Sequence, residues 1–347
     1  MLQLSGSGAA CRLSAAGGGP PGASDKPPTA AEPAGSLARV GRPEHSASTR
    51  PIVVVGTGRC GSTHLHRVLA RHEALGWLST FNEVFPTQAW LAAFSRLYEW
   101  PLPLRLKHAR AFPKPFEAYR FWERYLPGFS RRDRPLTRED VPTSGIESIR
   151  RATERILRFH GRPRLLVKVT GWSRMAYFDR IYPDALFVSL RRDPRAVVSS
   201  WMRAGWLDVT TPPDSDRWQW GDVPAEYCEA WRELGGDPPL SVALKIRLDL
   251  DDIASNTSLF PHRCHELSYE QLVSAPAASL RSLCDFCELE WTPRFERIVR
   301  GLEFYDSTGT WRRHLSDSDG DRVLEFMRRT EMEPAGRAPG GSAASPR

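Results

Sequence analysis

No segment of the sequence reaches the roughly 18 consecutive apolar residues of a membrane-spanning helix, so no membrane span is expected. The opening "MLQLSGSGAACRLSAAGGG" lacks the basic start and the unbroken apolar run of roughly 7–15 residues that a secretory signal requires. A cytoplasmic protein is the default expectation, with an organelle transit tail, rich in Arg and Ser, left open. Cysteine is scarce: six in 347 residues make no disulfide framework. The CxxC of Cys284 and Cys287 has no second Cys pair or His pair at zinc spacing, so it is expected to pack a helix rather than hold a metal. The sequon at Asn256 matters only in a secreted chain. Basic blocks are missing too. The formal net charge of +7 favours anionic ligands, but Lys and Arg are spread along the chain without a nucleic-acid module, so no nucleic-acid partner is expected.

Aromatic residues are absent from the first 50 positions, where 31 are Gly, Ala, Pro or Ser. Residues 1–50 are expected to be a disordered tail, and 331–347 a second one. Between them, 51–330 reads as a single domain. The run "IVVV" (52–55) is short, β-branched and uninterrupted, as a strand buried on both faces should be. It enters the glycine loop "GTGRCGST" (56–63), after which Leu65, Val68, Leu69 and His72 recur at helical spacing. Further buried strands are expected at 164–169, 185–190 and 263–269. Helical patterns fall at 145–160, 194–204, 225–234, 240–254, 270–287 and 321–330. This alternation predicts an α/β fold: a central parallel sheet flanked by helices, opened by a P-loop-like strand–loop–helix.

Between 76 and 129 lie 14 of the chain's 35 aromatic residues, broken by six prolines. Residues 76–130 are read either as a helical subdomain with an aromatic core or as a cap forming an apolar acceptor pocket over the loop.

The glycine loop lacks the one residue a nucleoside triphosphatase would need. Ser62 stands in place of the lysine of G-x-x-x-x-G-K-[ST], and the cation sits inside the loop, at Arg59. Glycines at 56, 58 and 61 let successive backbone amides converge on an anion at a helix start. A second motif, "RRDPRAVVSS" (191–200), leaves the strand at 185–190, where ligands of open α/β sheets bind. A guanidinium there and a hydroxyl two turns into the next helix suit a second phosphate.

Together "RCGST" (59–63) and "RDPRAVVSS" (192–200), in this order and about 130 residues apart, resemble sulfotransferases that use 3′-phosphoadenosine 5′-phosphosulfate (PAPS). The resemblance spans roughly 52–330. It implies sulfuryl transfer without a metal to a hydroxyl, or an amine, of a small-molecule, lipid or carbohydrate acceptor. Arg59 corresponds to the basic residue at the bridging oxygen. Gly61, Ser62 and Thr63 correspond to the 5′-phosphosulfate cradle, completed by Thr57, Gly58 and Cys60, and Arg192 with Ser200 to the 3′-phosphate clamp. Cys60 departs from the pattern, which has a hydroxyl residue there. Near a helix start and a cation, its thiol is expected to ionise readily. "ELSYEQL" (266–272) and "GTWRRHL" (309–315) resemble later segments of the family, which would bring Tyr269, Trp311, Arg312 and Arg313 to the nucleotide.

Transfer to a hydroxyl needs a base. In family members that use glutamate, it follows the loop's basic residue by a little over twenty positions, and Glu83 is 24 beyond Arg59. Set among Phe81, Phe85 and Pro86, it is the expected base. Histidines 64, 66 and 108 are the rivals. Lys168, at the end of an apolar strand, must emerge into a site or be paired, because a buried ammonium is costly. The resemblance implies a transition-state role for it, with Thr170 as an acceptor contact. The competing readings are a P-loop phosphotransferase and a non-catalytic nucleotide-binding relative.

Overall fold

The computed structural model describes residues 50–109, 111–205 and 211–331, without the side chains of Leu104 and His108. The tails expected at 1–50 and 331–347 lie almost wholly outside the described residues, as does the side chain of His108. The described residues fall within one compact unit.

Five strands form the sheet: β1 Ile52–Val55, β2 Leu75–Trp77, β3 Arg164–Lys168, β4 Leu186–Arg191 and β5 Cys264–Ser268. Their order is β2-β3-β1-β4-β5, and every pairing is parallel. Helices α1 Ser62–Leu69, α2 Thr80–Val84, α3 Leu104–His108, α4 Tyr119–Tyr125, α5 Thr143–His160 and α6 Met175–Ile181 belong to the first half. In the second half lie α7 Pro194–Arg203, α8 Ala225–Glu233, α9 Pro238–Leu259, α10 Tyr269–Ser274, α11 Pro276–Phe286, α12 Pro293–Arg300 and α13 Asp317–Arg329.

The strand alternation sorts the core into layers. Val53, Val55, Leu165, Val167 and Phe187 face one side of the sheet, against Phe121, Trp122, Phe129 and Phe178. Ile52, Val54, Leu166 and Val188 face the other, against Leu65, Val68 and Leu69 of α1 and Leu280 and Leu283 of α11. All four residues of β1 are fully buried. At about 1.5–3 kcal/mol per buried aliphatic side chain, this strand fixes where the following loop starts. A third cluster joins α7, α8, α9 and α13 through Val197, Trp201, Tyr227, Leu244 and Phe326.

The two alternatives for the aromatic segment divide by residue. Phe121, Trp122 and Phe129 are fully buried in the sheet-facing core, whereas Trp90, Phe94 and Trp100 stand more than two-fifths exposed. From this segment, Glu117 and Tyr119 line two cavities described below. Phe121 and Trp122 sit on the buried face of α4.

Candidate active site

The loop after β1 turns where side chains do not fit. A Cβ on Gly58 would lie 2.6 Å from the Trp201 ring, and one on Gly61, at φ 100°, would lie 2.5 Å from the Tyr269 ring. The glycines thus let α7 and α10 close on the loop from behind. Arg59 itself has φ 70°, a left-handed conformation that costs a non-glycine residue on the order of 1–2 kcal/mol. The strained residue is the one that carries the loop's cation. Cys60 is fully buried behind the turn, and burial pushes its thiol up rather than down. The expectation of an easily ionised Cys60 is corrected on this ground: desolvation outweighs the nearby cations.

The two motifs that lie about 130 residues apart in sequence meet because β1 and β4 are neighbours, with Val55 beside Ser189. Asp193 caps α7 by accepting the Arg195 amide at 2.8 Å, and Pro194 opens the helix. Arg59 Nε donates to Ser200 Oγ at 2.9 Å. Arg192 Nη1 donates to the Arg59 carbonyl at 3.2 Å, and its Nη2 to Ser307 Oγ at 2.7 Å. The Arg192 guanidinium also lies 4.3 Å from the centre of the Tyr269 ring. That tyrosine's hydroxyl donates to the Tyr305 carbonyl at 2.9 Å.

Around this junction opens a cleft of about 570 Å³. Its cationic lining comprises Arg59, Arg67, Lys168, Arg192, Arg203 and Arg313, against a single carboxylate, Glu117. Like charges this close cost free energy unless an anion joins them. The strain registers on Arg59, whose proton affinity is lowered by partial desolvation and then by Arg203 and Arg192. Arg192 Nε is buried without a partner. Gly61, Ser62 and Thr63 line the same cleft at the start of α1, where the helix adds partial positive charge.

Of the residues expected at the nucleotide, Gly58, Arg59, Gly61, Ser62, Thr63, Lys168, Arg192, Ser200 and Arg313 line this cleft. Thr57, Cys60, Tyr269, Trp311 and Arg312 are not among its described lining residues. Thr57 and Cys60 are buried beneath the loop, and Tyr269 is a strut behind it. Trp311 is buried under the Arg195 and Arg312 guanidinium groups, 4.8 and 4.4 Å from its centre, and Arg312 pairs outward with Asp317 at 3.0 Å.

Lys168 emerges from β3 as expected for a cation that cannot stay in an apolar strand. Its Nζ donates to Thr63 Oγ1 at 2.9 Å and pairs with Glu117 at 2.6 Å. Thr170 Oγ1 donates to the same Glu117 carboxylate at 3.1 Å. Glu117 is held there because the chain before it runs beside the end of β2: Phe116 N donates to the Leu78 carbonyl at 2.9 Å, and Thr80 N to the Lys114 carbonyl at 3.1 Å. Beyond Glu117 opens a second cavity of about 660 Å³, which shares Gly58, Glu117 and Thr170 with the first.

Glu83 is not among the described residues lining either cavity. It sits on α2 with its carboxylate turned to α4, accepting the Arg120 amide at 3.0 Å and facing Arg120 Nε at 3.6 Å. Its distance along the sequence from Arg59 was right for a base, but the short helix α2 directs it to the start of α4. The rival histidines divide: His66 is buried, its proton affinity driven well down by burial, whereas His64 lines the first cleft and packs edge-on against Phe304.

Sequence reasoning missed Glu117, Arg203 and the Tyr305, Ser307 and Thr310 wall. Arg203 follows Ser199 and Ser200 by one helical turn, so the period of α7 held its signal. Glu117 lies in an irregular stretch with no such period. Among the described residues, no three His, Cys, Asp or Glu gather as a metal site would need, and no helix is long and apolar enough to cross a membrane.

A model described as the sulfotransferase family matches residues 51–293. Solved structures align more loosely. Sulfotransferase STF9 from Mycobacterium avium is 16% identical with a TM-score of 0.49, over 83% of this chain and 78% of that one. Sulfotransferase STF1 from Mycobacterium tuberculosis H37Rv is 15% identical at 0.47, over 80% and 76%. Mouse sulfotransferase SULT7A1, complexed with PAP, is 10% identical at 0.39, over 81% and 84%. Among curated proteins, none matches the chain.

Proposed function

The chain belongs to the sulfotransferase family, and from that premise we propose that it moves a sulfuryl group from PAPS to a hydroxyl of a small acceptor. The observation that carries this reading is the cleft where Arg59, Arg192 and Ser200 interlock, with six cationic side chains against one carboxylate. When bound, PAPS supplies the sulfuryl group and departs as adenosine 3′,5′-bisphosphate.

The chain's residues then have distinct tasks. Arg192 and Ser200 hold the 3′-phosphate, by bidentate and hydroxyl contacts that suit its oxygens. Ser62, Thr63 and the start of α1 hold the 5′ end, and Arg59 and Lys168 offset the charge that grows on the leaving phosphate oxygen. Glu117 takes the acceptor's proton. The acceptor oxygen forms its bond to sulfur as the sulfur–oxygen bond to the 5′-phosphate breaks. Glu117 is preferred to Glu83 because it alone faces both cavities, within hydrogen-bond reach of Lys168 and Thr170. The Lys168 pair keeps the carboxylate in place until the acceptor arrives.

A thermal-shift series tests the nucleotide. Adenosine 3′,5′-bisphosphate is expected to raise the melting temperature without added metal, and ATP with magnesium to do so less. Stabilisation by ATP with magnesium alone would reject the sulfotransferase reading in favour of a phosphotransferase.

A further inference from the structure

The second cavity contains a buried charge pair that the transfer reaction, as described so far, does not use. Asp249 and Lys245 lie one turn apart on α9, both line the cavity, and they form a salt bridge with side chains 0% and 2% exposed. The bridge satisfies only one oxygen. Asp249 Oδ2 is buried with no hydrogen-bond partner, a condition that costs on the order of 1–3 kcal/mol or more for a charged group. Lys245 Nζ lies 4.1 Å from the centre of the Trp172 ring. Trp220, Trp201 and Tyr119 supply further aromatic wall.

The lining narrows the ligand's chemistry. A carboxylate oxygen without a donor calls for a hydroxyl or amine, and the neighbouring ammonium calls for an acceptor. Two adjacent hydroxyls on one ring meet both demands, one donating to Asp249 and the next accepting from Lys245. Indole and phenol rings suit the C–H faces of such a ring. A sterol or acyl chain offers nothing to the pair along its length, and a cationic amine enters a cavity whose Arg132, Arg174 and Lys245 outnumber Asp249 and Glu117.

We propose that the second cavity is a saccharide site, in which Asp249 and Lys245 grip vicinal hydroxyls of a sugar ring and present a further hydroxyl to Glu117. This deepens the sulfotransferase reading and rests on it for the fate of that hydroxyl, but the binding itself does not require transfer. Gly171, at φ 81°, passes beside the pair. Burial also pushes the Asp249 carboxyl up against the pull of Lys245, as expected of an acid awaiting a second partner.

The test uses the full chain with methyl glycosides of hexoses, uronic acids and amino sugars, beside p-nitrophenol and cholesterol. Binding is read by tryptophan fluorescence and transfer by labelled PAPS. At least one glycoside is expected to quench the fluorescence and accept label. Asp249→Asn is expected to weaken that glycoside at least tenfold while leaving the affinity for adenosine 3′,5′-bisphosphate unchanged. Should Asp249→Asn fail to fold, Trp220→Leu at the half-buried rim is expected to show the same selective loss. Label passing to the phenol or sterol with no glycoside bound would overturn the saccharide site and leave the sulfotransferase reading standing. Glycoside binding that Asp249→Asn abolishes, in a chain that binds no bisphosphate, would keep the site and reject the transfer. No quenching by any glycoside would overturn the proposal.

Discussion

At Glu117 two contacts, the Lys168 ammonium and the Thr170 hydroxyl, and the opening to both cavities support the proposed chemistry. Glu117→Gln keeps the shape and removes the proton acceptor. Its kcat is expected to fall by about 10²–10⁴-fold, the usual size of general-base catalysis, with the bisphosphate affinity unchanged. Glu83→Gln is expected to stay within a few-fold of the parent enzyme, because its carboxylate faces Arg120 and the start of α4. The reverse pattern in steady-state kinetics would return the base to Glu83. That Arg59, Ser62, Thr63, Arg192 and Ser200 would meet in one cleft was legible in the sequence, because both motifs follow the ends of strands. Glu117 was not, since its place depends on an irregular chain lying beside β2. Cys60 was misread for a related reason: sequence shows a neighbouring cation but not the depth at which a thiol is buried.

Among the elements, the strands β1, β3 and β4 were legible because burial on both faces makes each a nearly continuous apolar run. β2 was not: three residues with Gly76 in the middle carry no such run. The single helix expected over 270–287 is two, α10 and α11, divided at Pro276, which cannot donate its amide to the preceding turn. β2 and α5 meet at His160, whose imidazole is fully buried 5.0 Å from the centre of the Trp77 ring. Burial holds it down to about 4 from an ordinary 6.5. The folded chain therefore keeps this histidine neutral while the unfolded chain protonates it. Its contribution to stability is intact above 6.5 and drains as pH falls toward 4, by up to about 3 kcal/mol. Buried His66 acts in the same direction. Urea titrations at pH 7.5 and 4.5 check this: His160→Gln is expected to lose less stability than the parent across that interval, and an equal loss would contradict it.

Over the whole molecule, a modest net charge of +7 is concentrated where β1 and β4 end. The fold does the gathering: two central neighbours of a parallel sheet bring the motif at 59–63 beside the motif at 192–200, and the loop through Ser307 closes the third side. Such a cleft has little to attract a neutral ligand and much to attract a doubly phosphorylated one, and in the proposed reading Arg192 is the residue that distinguishes a 3′-phosphate from its absence. The measurement that bears most directly on the account is calorimetric titration of parent and Arg192→Ala with adenosine 3′,5′-bisphosphate and with adenosine 5′-monophosphate. The account predicts that Arg192→Ala weakens the bisphosphate by roughly 10–100-fold, the worth of a charge-assisted contact of about 1.5–3 kcal/mol, and leaves the monophosphate nearly unchanged. Equal losses for the two nucleotides, or no binding of the bisphosphate by the parent chain, would contradict it.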